Sequence, residues 1–300
     1  MISSVPEPLD AASVARSLAE DWALHDAELA PHHGGMNSRT WFVSLGSSRW
    51  ILKAVPSADG ARLASGLSVA AHVDAAGTPA GSPRMTPDGR WTVNRDGWTL
   101  ALLRFVDGVG LTGRDESELR LIGATLARVH VALAGIELAG VEQFHWLDPN
   151  ADHLEIRAWV RPSIVAALAA WERLVPDSLT WGLLHGDPAP EAFLFDRSTG
   201  VCGLIDWDRG LHGPRMYDLA SAVMYVGGPD RGRPLIDEYV GRRGLDRAEV
   251  DRTLVSMIRM RWAVQADYFA RRIATRDMTG IRDESENEEG LEDARRAIGS

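Results

Sequence analysis

Cysteine is nearly absent: Cys202 is the only one in 300 residues, so no internal disulfide can form and no multi-cysteine metal site can be built. A reducing compartment fits that usage, and the cytoplasm is the expected location. Apolar runs of signal-peptide or membrane-spanning type are missing, and Glu7 and Asp10 precede the first basic residue, Arg16. No membrane association is expected. Positive charge is short as well, since 32 Lys and Arg face 42 Asp and Glu, for a formal net charge of -10. Such a chain repels a phosphate backbone and lacks the basic stripe that nucleic-acid binding needs. Nucleic acid is therefore not an expected partner. The Walker A pattern, a glycine-rich loop ending in Gly-Lys-Ser or Gly-Lys-Thr, occurs nowhere, which excludes the P-loop class.

What is present describes a globular protein, 45% hydrophobic and 25% charged, long enough for about two domains. The most informative scarcity is lysine. Lys53 is the only one, every other basic residue being arginine, and it stands inside the apolar run Trp50-Ile51-Leu52-Lys53-Ala54-Val55. A lone charge in such a strand is costly unless paired. A compact ammonium reaching an anion explains it, and an edge-strand lysine that snorkels to water is the plainer alternative.

Residues 10 to 25 read as a short helix. Two hairpins follow: Thr40 to Leu45 with Arg49 to Val55 around Gly46-Ser47-Ser48, and Trp91 to Asn94 with Trp98 to Phe105 around Arg95-Asp96-Gly97. Between them Ala61 to Ala76 reads as a helix stopped at Gly77. After Val106-Asp107-Gly108 the texture turns helical, beginning with Leu119, Ile122, Leu126 and Val129, so two lobes are expected, 1–106 and 107–300. Residues 154 to 174, 214 to 226 and 233 to 243 read as helices, and Arg247 to Arg276 as a long amphipathic one. The acidic tail from Asp283 to Asp293 reads as solvated.

The chemistry-bearing stretch is 182–206. Glu191 to Asp196 and Val201 to Asp206 flank Arg197-Ser198-Thr199-Gly200, an antiparallel hairpin that sets Asp206 roughly opposite Glu191 and Ala192. Asp187 lies in the loop feeding the first strand, so both aspartates meet at one end of the hairpin. Phosphoryl transfer needs such a pair: one carboxylate for the substrate hydroxyl proton, another for the Mg2+ that bridges the phosphates.

Three stretches carry a family resemblance: Leu184-His185-Gly186-Asp187, Leu204-Ile205-Asp206-Trp207-Asp208, and Gly213-Pro214-Arg215-Met216-Tyr217-Asp218-Leu219-Ala220. In order and spacing the chain resembles the aminoglycoside phosphotransferase and choline-kinase-like branch of the protein-kinase-like superfamily, from about Ala27 onward. The resemblance implies an α+β, bilobal protein-kinase-like fold: a small N-terminal antiparallel sheet lobe with one helix, and a larger, mostly helical C-terminal lobe. It implies an ATP- or GTP-dependent phosphotransferase with Mg2+, acting on a hydroxyl of a small molecule such as an antibiotic or an amino alcohol. By resemblance Asp187 is the catalytic base with His185 beside it, Asp206 the metal ligand and Lys53 the phosphate-binding lysine, while Asp218 anchors the catalytic loop. The nucleotide loop matches His33-Gly34-Gly35-Met36-Asn37-Ser38, with Gly34, Gly35, Asn37 and Ser38 as contacts, and the adenine hinge matches Leu103-Arg104-Phe105. Trp262, Asp267, Tyr268 and Arg271 on the long helix are the expected acceptor contacts.

Two departures qualify the match. Where the family has a metal-binding asparagine five residues after the base, this chain has Ala192, and Asp208 is the expected substitute ligand. The helix 61–76 also lacks the glutamate that normally pairs with the strand lysine, Asp74 being its only acidic residue. A nucleotide-binding pseudokinase acting through a protein partner is thus the alternative reading. Oligomeric state is not legible.

Overall fold

Side chains alternate across the strands of the first sheet, and that alternation decides which face carries chemistry. The computed structural model describes residues 9–32, 38–144 and 147–299. Within them the chain runs α1 (Ala11–Trp22), β1 (Glu28–His32), β2 (Arg39–Leu45), β3 (Ser48–Pro56), α2 (Gly60–Ala75), β4 (Thr92–Arg95) and β5 (Trp98–Arg104). The five strands form an antiparallel sheet in the order β1-β2-β3-β5-β4. Trp41, Val43, Leu52, Ala54, Leu100 and Leu102 point to one face and pack on Val14, Leu18 and Trp22 of α1. The Asp10 carboxylate caps α1 through the Ser13 N–H at 2.7 Å. Thr40, Lys53 and Ala101 stand in register across the other face, with Phe42, Ile51 and Leu103 beside them. Leu63 and Leu67 of α2 pack on this second face through Val55 and Ala101. The two helices read over residues 10–25 and 61–76 thus lie one on each face of the sheet.

The remaining elements are β6 (Val109–Gly110), α3 (Glu116–Ala132), β7 (Glu142–Gln143), α4 (Val160–Glu172), β8 (Trp181–Leu184), β9 (Phe193–Asp196), β10 (Val201–Leu204), β11 (Leu211–Pro214), α5 (Met216–Tyr225), α6 (Arg233–Gly241), α7 (Arg247–Thr275) and α8 (Ser285–Gly299). One continuous core joins α3, α4, α5, α6 and α7 through residues such as Ile122, Ile164, Leu219, Leu235 and Met257. The result is an α+β fold with an antiparallel N-terminal sheet and a helical C-terminal region. No helix among the described residues is long and apolar enough to cross a membrane.

One expectation needs correction and another completion. The single helix read over 154–174 is a short 3-10 turn at Asp152–Ile156, an extended Arg157, and then α4. Pro162 explains the break: it has no N–H to donate and is tolerated only in the first turn of a helix. The acidic tail keeps its carboxylates exposed, as read, but folds as helix α8, which buries Asn287, Leu291 and Ala294. Its buried residues repeat at helical spacing, and charge on the outward face hides that stripe from a composition reading.

Candidate active site

The loop between β8 and β9 carries Asp187, and its shape is dictated by buried polar groups. Asp218 of α5, completely buried, accepts the His185 N–H at 2.7 Å and the Gly186 N–H at 2.8 Å. Gly186 adopts φ +88, and a Cβ there would lie 2.3 Å from the Arg209 carbonyl oxygen; only glycine permits both. His185 is also fully buried. Its Nε2–H donates to the Ile205 carbonyl at 2.8 Å, its Nδ1 accepts the Asp187 N–H at 3.3 Å, and its ring stands edge-on to Trp207. The expectation of a catalytic His185 is corrected accordingly, since neither nitrogen is available to a substrate. It braces the Asp187 loop against the Asp206 loop.

Asp187 itself is partly exposed, its side chain 42% accessible. Its Oδ1 accepts from the Tyr225 hydroxyl and from Arg261 Nη2, both at 2.6 Å. Among the described residues these bonds fall on Oδ1, which leaves Oδ2 for a ligand. Burial works to raise this carboxyl, but the Arg261 guanidinium and the Tyr225 hydroxyl outweigh it and hold the carboxyl below its ordinary range. Arg261 is anchored in turn by the Ser221 hydroxyl at 3.1 Å.

The second acidic segment follows β10. The β9–β10 register pairs Leu204 with Phe193, and the Ile205 N–H donates to Ala192 O at 2.9 Å, as the hairpin reading requires. The strand stops there. Asp206 takes φ +72, a conformation Asp tolerates better than most residues, and its side chain is 61% exposed. Asp208 does not arrive by strand alternation but by the turn closed between Gly210 N–H and Trp207 O. Both carboxylates meet Lys53 Nζ at 2.5 Å. Burial opposes the Lys53 charge, yet the two carboxylates raise its affinity for the proton. Lys53 holds the Asp206 carboxyl below its ordinary range, while burial and the Asp206 charge push Asp208 up. Two carboxylates on one ammonium leave a net negative oxygen cradle.

No carboxylate of α2 takes part. Asp74 accepts from Ser82 Oγ and the Ala80 N–H at the far end of the helix. In mid-helix Gly66 lies so close to the Trp207 carbonyl that a Cβ would overlap it at 1.7 Å, so α2 rests directly on the Asp206 loop. Ala192 is buried among apolar residues. Among the described residues no group of three metal-ligating side chains occurs. Asp206 and Asp208 nevertheless supply hard oxygen donors of the kind Mg2+ uses together with phosphate oxygens.

Residues 28–252 match the Phosphotransferase enzyme family. The chain belongs to that family. Over 194 residues this family member is 27% identical to a homoserine kinase of Allorhizobium ampelinum, the match spanning 60% of this chain and 60% of that relative's length. In fold it is similar to the amicoumacin kinase hAmiN, solved with AMP-PNP, Ca2+ and Ami (TM-score 0.71, 13% identity, 97% and 93% of the two chains). It is equally similar to a microcompartment-associated aminopropanol kinase (TM-score 0.71, 19% identity, 96% and 95%).

Within this phosphotransferase-family chain the other expected contacts scatter. Gly34, Gly35 and Asn37 lie outside the described residues, and Ser38 is buried just before β2. At the hinge Leu103 is paired with Ile51 in the sheet and the Arg104 N–H is taken by Ser82 O at 2.9 Å, so of the three expected residues only Phe105 lies past the sheet. On α7, Asp267 accepts a bond from His153 at 2.7 Å, Trp262 packs on the core and Arg271 is exposed. Tyr268 alone shares the face of Arg261, being seven residues or about two turns further on.

Arg261, Tyr225 and Arg209 were not singled out from the sequence. Arg261 had a signal: it follows Leu254 and Met257 at helical spacing, where an apolar residue is expected, so a charge there needs a buried partner. Arg261→Gln is expected to leave burial acting on Asp187 without its opposing cation. The carboxyl then binds its proton more tightly, and the acid limb of kcat/KM against pH moves to higher pH. An unshifted limb would show that Asp187 does not set it.

Proposed function

We propose that this chain transfers a phosphoryl group from ATP or GTP to a hydroxyl of a small molecule such as an amino alcohol, an antibiotic or an amino acid. The observation that carries this reading is the Asp187 carboxylate. It is ionised, fixed through Oδ1 and open at Oδ2, beside an Asp206, Asp208 and Lys53 cradle delivered by the adjoining loop. Asp187 Oδ2 accepts the acceptor's hydroxyl proton and orients its oxygen toward the phosphorus. The ammonium of Lys53 turns from the carboxylates toward phosphate oxygens, and the sheet face bearing Phe42, Ile51 and Leu103 covers the base. Asp206 and Asp208 would hold Mg2+, which neutralises phosphate charge when bound. With Ala192 unable to ligate, one protein-held ion is the expected stoichiometry.

Transfer of labelled γ-phosphate from ATP or GTP, with Mg2+, to a panel of amino alcohols, hydroxy amino acids and antibiotics tests the reading. Wild-type transfer that falls by about 100-fold or more in Asp206→Ala supports it. Tight nucleotide binding with no transfer to any panel member overturns it in favour of a pseudokinase.

A further inference from the structure

Arg209, three residues beyond Asp206, is a half-buried guanidinium whose local carboxylates are already committed. Asp187 is bound to Arg261, and Asp206 and Asp208 are bound to Lys53. Among the described residues Arg209 has no ion pair. It lies instead over the Tyr268 ring, its Cζ 5.6 Å from the centroid. That platform is itself braced. The Tyr268 hydroxyl accepts from Arg272 Nη1 at 3.3 Å, and the buried Arg272 donates to Asn287 of α8 at 2.8 Å and to Thr279 O at 2.7 Å. Tyr268 shares the α7 face of Arg261, so the ring that holds Arg209 and the guanidinium that holds Asp187 come from the same side of one helix. A guanidinium fork held over a ring suits a planar anion bound through two parallel N–H···O bonds.

We infer that the acceptor carries a carboxylate, captured by Arg209 while its hydroxyl faces Asp187 Oδ2; the substrate class is a short hydroxy acid, amino acids included. This rests on the phosphotransferase reading above. The charges are consistent: a carboxylate on the acceptor supplies the ion pair that Arg209 lacks among the described residues. Lys53 is the cation proposed above for the nucleotide's phosphates, which leaves Arg209 for the acceptor.

Three matched pairs differ only by the carboxylate: L-homoserine and 3-aminopropan-1-ol, L-serine and ethanolamine, L-threonine and 1-aminopropan-2-ol. Calorimetric titration of each into the full chain, saturated with Mg2+ and a non-hydrolysable nucleotide, reads binding without turnover. Steady-state transfer reads the chemistry. In at least one pair the carboxylate member is expected to bind about tenfold or more tightly than its partner, the range of a charged hydrogen bond. Arg209→Gln should erase that preference through KM with kcat nearly kept, and Arg209→Lys should restore it in part. No preference in any pair overturns the inference, as does a preference that survives Arg209→Gln. Equal loss of kcat for both members also overturns it, because Arg209 would then serve the transferred phosphoryl group. Preferred binding without transfer would sink the phosphotransferase reading and leave this one standing, while transfer confined to amino alcohols would do the reverse.

Discussion

Asp187→Asn is expected to lower kcat by roughly 100- to 10,000-fold, the range for loss of a positioned general base, with nucleotide affinity unchanged. The amide keeps an acceptor oxygen for the Tyr225 hydroxyl and Arg261, which meet Oδ1 at 2.6 Å in the wild type, so the loop has the partners to hold its place. What disappears is the negative oxygen proposed to take the hydroxyl proton. The variant separates two roles within one site, since Lys53, Asp206 and Asp208 are untouched. Rapid-quench measurement of transfer, set beside fluorescence titration of nucleotide, checks both halves. A variant within about threefold of wild-type kcat would remove Asp187 from the chemistry.

Asp218→Ala is expected to give the largest loss of stability of any single change at the site. The buried carboxylate accepts the His185 and Gly186 N–H groups at 2.7 and 2.8 Å and His130 Nε2 at 3.1 Å. His130 takes the Tyr239 hydroxyl at 2.7 Å on its other nitrogen. Burial lowers the His130 pKa despite the opposing pull of Asp218, so the ring is neutral and needs an acceptor for its one N–H. Alanine leaves three donors buried with nothing to bind, a cost of about 3–5 kcal/mol by analogy with breaking a buried charged pair. In a chain of this size that corresponds to a fall in Tm on the order of 10 °C. Urea unfolding followed by tryptophan fluorescence, with Asp218→Asn as the variant that keeps one acceptor, measures it. An unchanged midpoint would mean that other contacts hold the loop.

Much of this architecture could be read from residue order. The hairpins β2–β3, β4–β5 and β9–β10 follow from alternating apolar residues around glycine-bearing turns, a signal confined to about ten neighbouring residues. The helices α2, α3, α5, α6 and α7 follow from apolar spacing in the same way. Lys53 stood out because one charge in an apolar strand demands a partner, and the structure gives it two, Asp206 and Asp208. What stayed hidden did so for long-range reasons. His185 looks chemically active in a motif, yet its burial depends on Ile205 and Trp207 meeting it from another segment. The acidic run of α8 is exposed as read, but its packed stripe of Asn287, Leu291 and Ala294 exists only where α7 offers a surface.

The near-absence of lysine and cysteine, the paired acidic segments and the hairpin between them were determined by the sequence alone, because each rests on residue type and spacing along a few turns of chain. The destinations of the charges were decided only in the tertiary structure. Arg261 lies 74 residues from Asp187, and Tyr268 comes from α7 to lie beneath Arg209. No local periodicity encodes such a meeting, since it exists only where packed helices bring their faces together.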